Sequence, residues 1–155
     1  MRARVINPKT RQRGLAMVEC VITLPLLLFL MLATAELGRV ISQYDTLTKA
    51  VRDGARYAAS TSANGSTGLV YISPQIQAAV GNLVATGNAN GSGAALLPGF
   101  TASAVTVSDA GNGYVSVSAT YTYQPLLGTT LPTFGFGNPI SLSFTLTAGA
   151  VMRAL

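Results

Sequence analysis

Gly14 and Glu19 are the residues whose types and spacing could do chemistry together. From Leu15 to Ala35 the only formal charge is Glu19. An acid inside a membrane-spanning run is expensive enough to read as functional. Five cations precede the glycine: Arg2, Arg4, Lys9, Arg11 and Arg13. Hydrolysis of the peptide bond after Gly14 would make Leu15 a new amino terminus and Glu19 the fifth residue of the remaining chain. A carboxylate would then stand one helical turn from a fresh α-ammonium, within reach of an ion pair. The spacing points to a processed membrane subunit that assembles with others, and not to an enzyme.

The rest of the composition supports the same division. The chain has no histidine and a single cysteine, Cys20, so zinc would find neither imidazole nor a thiolate cluster. Cys20 cannot form an internal disulfide and reads as a small hydrophobe facing lipid or a neighbouring helix. Asp45, Asp53 and Asp109 are scattered, no nucleophile has a base in view, and the glycine clusters lack the lysine of a phosphate loop. No catalytic residue, cofactor or metal is expected. The net charge is +5 over 155 residues, yet all the surplus lies before Gly14. Beyond it, Arg39, Lys49, Arg52, Arg56 and Arg153 balance Glu19, Glu36, Asp45, Asp53 and Asp109. A nucleic-acid surface needs its basic patch on the folded part; here the charge marks the cytoplasmic side of a membrane segment.

That segment runs CVITLPLLLFLMLA from Cys20 to Ala33, with Thr23 its polar residue. With Glu19 and its neighbours included the window widens to roughly twenty residues, just enough for a bilayer. Pro25 removes a backbone donor and frees a carbonyl one turn earlier. Thr23 is close enough to help satisfy it, so a mild kink is expected and not a break. Three processing outcomes compete. Cleavage after Gly14 keeps the hydrophobic segment. No cleavage leaves a plain single-span anchor. Ala33-Thr34-Ala35 also has the small-x-small form of a signal-peptidase site. Against that last reading, Glu19 would be a pointless cost in a discarded peptide, and the helical pattern continues past Ala35.

Beyond Glu36 the apolar positions are Leu37, Val40, Ile41, Tyr44, Leu47, Val51, Ala55 and Ala58. Steps of three and four predict one stripe on a helix. Asp45 and Lys49 are spaced to pair, and Arg52 and Arg56 to repel, each by a few tenths of a kcal/mol. Gly38 and Gly54 weaken the helix by about 1 kcal/mol each relative to alanine; Gly54 either permits close packing or is merely tolerated. One helix from near Leu15 to about Ala59, about 65 Å long, is expected, its outer stripe available to a globular domain or to sister helices.

Ser60 to Gly68 is a loop by composition. Ser73 and Pro74 open a short helix carrying Ile76, Val80, Leu83 and Val84 on one face. After a second loop, Thr86 to Gly93, the period becomes two. Three strands are expected: one around Val105 and Val107, one with Val115, Val117, Ala119, Tyr121 and Tyr123 on its inner face, and one from Ile140 to Ala148 with Ile140, Leu142, Phe144 and Leu146 inward. The Ser/Thr residues between them form the other face. The link after Gln124 is apolar for a loop, with Leu126, Leu127, Leu131, Phe134 and Phe136; it either folds over the sheet as satellite core or meets another subunit. The fold class is α+β: a long N-terminal transmembrane helix continuing into a domain with a short helix and a small antiparallel sheet of about three strands. The expected divisions are a basic leader (1–14), a transmembrane half-helix (15–35), an exposed amphipathic half (36–59) and an extracytoplasmic α+β domain (60–155).

The segments RGLAMVECVITLPLLL (Arg13 to Leu28), ELGR (Glu36 to Arg39) and AVRDGARYAA (Ala50 to Ala59) together resemble a TadE-like protein. Proteins of this family are minor pilins or pseudopilins of the tight-adherence (Tad/Flp) branch of type IV pili. SFTLTAGAVMR (Ser143 to Arg153) and QPLL at Gln124 are similar to family segments, more loosely. The resemblance implies that Gly14 is the last leader residue read by a prepilin peptidase, Leu15 the mature terminus, and Glu19 the acid used in assembly. It implies other minor and major pilins, the inner-membrane assembly platform and the lipid bilayer as partners, with no nucleic acid. The location implied is the bacterial inner membrane, single-pass, with the N-terminus cytoplasmic and the C-terminal domain periplasmic or pilus-associated at the cell surface. Cys20 departs from the pattern, in which an aromatic residue is more usual after the glutamate. Another class of reading is a tethered or secreted extracytoplasmic binding or structural protein that enters no pilus.

Overall fold

The computed structural model describes residues 9–63, 70–126, 128–131 and 137–154. The chain divides into two compact units, Met1–Gly38 and Arg39–Leu155. Helix α1, Lys9–Thr61, contributes to both.

In the first unit α1 runs through Pro25 without a break. Leu15, Met17, Val21, Ile22, Leu26, Leu27 and Leu30 are exposed all round it. A helix that is apolar on every side belongs in a large core or in a membrane. Among the described residues, the stretch from Gly14 contains one helix long and apolar enough to cross a bilayer, and none of its most apolar window is buried. Thr23 acts differently from the expectation. Its Oγ1 donates to the Glu19 carbonyl at 2.8 Å, whereas Pro25 removes the donor to residue 21, four positions before it. A threonine hydroxyl reaches the carbonyls three and four residues behind itself, so Thr23 cannot serve the carbonyl of Val21.

In the second unit, helix α2 (Pro74–Thr86) forms for local reasons. The Ser73 hydroxyl accepts from the Ile76 N–H at 3.2 Å, and Pro74 fills the first turn. Gly87 stops it in the left-handed region at φ 75°, donating to the Leu83 carbonyl at 2.8 Å. A single 3₁₀ turn at Ala102–Ala104 leads into β1 (Val105–Gly111). Asn112 and Gly113, both at positive φ, turn the chain into β2 (Tyr114–Thr122), the conformation that a two-residue hairpin needs. Strands β3 (Thr130–Leu131) and β4 (Ile140–Ser141) pair with each other. Strand β5 (Thr145–Arg153) returns antiparallel to β2, giving the open sheet order β1-β2-β5.

The third sheet strand is therefore shifted from the Ile140–Ala148 expected. Its inward parity is right, since Leu146, Ala148, Ala150 and Met152 all belong to or pack against the core. Its start is five residues later, because Ile140 and Ser141 pair with β3 instead, and Ile140 and Phe144 are exposed. Period-two alternation runs unbroken across both segments, so sequence alone cannot place the change of partner. The sheet is covered as expected by the outer part of α1 and by α2: Leu47, Val51, Ala55 and Ala58 join Val80, Val84, Val115 and Val117 in one cluster.

The stripe on α1 needs a second correction. Leu37 and Ile41 are each 61% exposed and Tyr44 is 47% exposed, while Gln43 is buried. Spacing defines a stripe, but not how far along and around the helix its cover reaches. Ser60 to Gly68 falls partly outside the described residues, as do Leu127, Phe134, Phe136 and the side chain of Leu131.

Candidate processing and assembly site

Gly14 and Leu15 are adjacent in α1 with Glu19 one turn beyond Leu15, and all three are exposed. Helical geometry puts Leu15 and Glu19 on the same side, four residues apart. Among the described residues a β-carbon added at Gly14 meets no atom within 4 Å, so their packing gives no reason for glycine there. The Thr23 hydroxyl, bonded to the Glu19 carbonyl, fastens the backbone of that turn. Cys20 is exposed beside it.

In the second unit, polar features are structural or solvated. Lys49 Nζ and Asp45 Oδ2 pair at 2.7 Å with both side chains largely exposed, a surface pair of small worth. The Tyr121 hydroxyl donates to the Pro98 carbonyl at 3.1 Å. Burial pushes this phenol above its ordinary range, and the Arg39 guanidinium pulls against that rise. Gln43 Oε1 is buried without a hydrogen-bond partner among the described residues; a polar side chain carries no signal in an apolar periodicity. A groove of about 370 Å³ between α2 and the 3₁₀ turn is lined by Gln77, Asn82, Ala102 and Ser103, with no charged residue on its wall. Among the described residues no group of three or more acidic or cysteine side chains is placed to hold a metal ion.

The first unit offers an exposed apolar stretch with one carboxylate, Glu19, near its start; in the second unit Ile41 and Tyr44 of α1 are exposed. Leu126, in the apolar link after β2, is 70% exposed and so is not satellite core.

Residues 14–56 match the family model described as TadE-like protein. That is under a third of the chain, and it begins at Gly14. No curated protein gives a match. No solved structure gives one either.

Proposed function

We propose that this chain is a minor pilin or pseudopilin that assists the assembly or priming of a tight-adherence type IV pilus, after a prepilin peptidase cuts between Gly14 and Leu15. The observation that carries the reading is Glu19. It is the only charge between Leu15 and Ala35, an exposed apolar stretch of α1, one turn beyond Leu15 and inside the segment that matches the TadE-like model. The free space around Gly14 supports it, since a glycine not required by packing is free to be read by a peptidase. The exposed Ile41 and Tyr44 offer sister helices apolar contacts beyond the bilayer.

On this reading the basic leader stays in the cytoplasm and the sheet domain lies outside the inner membrane. The pilin-like character of that domain belongs to the same proposal. Mature Leu15 presents an α-ammonium, and Glu19 pairs with it, within the chain or across neighbours, as the subunit enters the assembly. Partners are the peptidase, the major and other minor pilins and the assembly platform; the chain itself does no chemistry.

Glu19→Ala tests this. Membrane insertion becomes no harder, because a charge is deleted. Leaving one member of a buried pair alone costs about 3–5 kcal/mol, and less where the amine reaches headgroups and water. At equal levels of mature protein, surface filaments and co-purifying pilus subunits should fall sharply. Unchanged filament yield together with unchanged association would remove Glu19 as an assembly determinant. Absence of the wild-type chain from any pilus subunit complex would favour a tethered envelope protein.

A further inference from the structure

The two edges of the sheet are treated differently. Strand β1 carries Asp109 and a register shift between Asp109 and Gly111, and its start borders the groove beneath α2. Charge, irregularity and cover are the usual protections of an edge. Among the described residues, strand β5 has none of them along most of its length. It is nine residues long, pairs with β2 without a register shift, and contains no proline and no charge before Arg153.

The direction of its free groups follows from the two ends of the ladder. The Tyr123 N–H donates to the Phe144 carbonyl at 2.9 Å, and the Ala154 N–H donates to the Gly113 carbonyl at 2.8 Å. Along an unbulged antiparallel pair the bonded residues alternate. The even-numbered residues of β5 therefore turn their main-chain groups to β2. Thr145, Thr147, Gly149, Val151 and Arg153 turn theirs outward, and all five are exposed. Main-chain donors and acceptors in a row are best met by another strand.

We infer that this edge pairs with the same edge of a second copy of the chain, antiparallel about a two-fold axis at Gly149, joining two three-stranded sheets into one. The edge is self-complementary. The register that sets Gly149 against Gly149 of the second copy is the two-fold register that uses all five outward residues. It sets Thr147 against Val151 and Thr145 against Arg153, so the two guanidiniums lie at opposite ends. On the inner face it sets Leu146 beside Met152 and Ala148 beside Ala150, extending both cores with apolar contacts. A β-carbon at position 149 meets only the Val117 carbonyl oxygen, at an ordinary 3.9 Å, so the position accepts a probe. The inference is independent of processing at Gly14.

The test uses the full chain in its native membrane, with Cys20→Ser as background, under mild oxidation. Gly149→Cys should give a disulfide dimer, because bonded antiparallel pairs stand about 5.5 Å apart at Cα, within disulfide reach. Thr147→Cys alone should not, but co-expressed Thr147→Cys and Val151→Cys chains should cross-link to each other. Adding Val151→Pro to Gly149→Cys removes an outward N–H on each copy and leaves the β2 ladder its bonds; the dimer should fall about tenfold. No dimer from Gly149→Cys, equal cross-linking by Thr147→Cys alone, or capture of a different protein at position 149 would each overturn the pairing. The cysteine pattern decides the matter even if the proline variant fails to fold.

Discussion

Val84 sets its Cγ2 where a β-carbon on Gly54 would stand, and Val80 Cγ1 and Val117 Cγ1 lie 3.4 and 3.8 Å from the same point. Helix α1 thus meets α2 and β2 at a residue without a side chain. Gly54→Ala should raise helix propensity by about 1 kcal/mol, yet overpacking costs about 1–3 kcal/mol, so the expected result is net destabilisation. Denaturant unfolding of the full chain in detergent, followed by near-UV signal, measures it. Val84→Ala should make room, so the double variant should lose less than the sum of the singles. A stabilised Gly54→Ala would show that the contact yields at no cost.

Gly14 sits in the opposite situation, with nothing among the described residues within 4 Å of an added β-carbon, and so does Gly38. Alanine at either position should leave the fold intact. Only Gly14→Ala should block or sharply slow processing, because a peptidase subsite shaped around a missing side chain excludes a β-carbon. Pulse-labelling and gel mobility separate leader-bearing from mature chains. Normal maturation of Gly14→Ala would make the glycine incidental.

Tyr121, next to last in strand β2, ties that strand to the Pro98 carbonyl through its hydroxyl. Its folded pKa is raised, chiefly by burial. A raised folded pKa means that the folded state keeps a proton the unfolded state gives up. This phenol's contribution to stability should therefore be flat below about pH 10, the ordinary phenol value, and be lost as pH rises through the folded value. Tyr121→Phe should remove this phenol's share of the alkaline loss and lower stability near neutrality by about 1 kcal/mol, for the lost hydrogen bond. Unfolding midpoints of both forms between neutral and alkaline pH measure it; identical alkaline slopes would contradict it.

Much of this architecture is legible in the residues. Ser73 and Pro74 announce α2, Asn112 and Gly113 the hairpin, and the alternation from Tyr114 to Tyr123 the central strand, because caps, turns and strand faces are local physics. Glu19 is legible as the one charge between Leu15 and Ala35; that Gly14, Leu15 and Glu19 act as a set is part of the proposal. The change of partner near Ile140 is not, because its alternation suits either sheet. Nor is the burial of Gln43 in place of Tyr44, which depends on where the domain covers α1. The free edge of β5 needs strand order and bonding parity, and neither is written in a single strand.

The central claim is that the chain is cut after Gly14 and keeps its hydrophobic helix. Intact mass of the protein extracted from membranes measures this directly. The account predicts a chain beginning at Leu15 and retaining Glu19. A chain beginning at Glu36 would contradict it and establish a secretory signal, and a chain retaining Met1 would leave a plain membrane anchor.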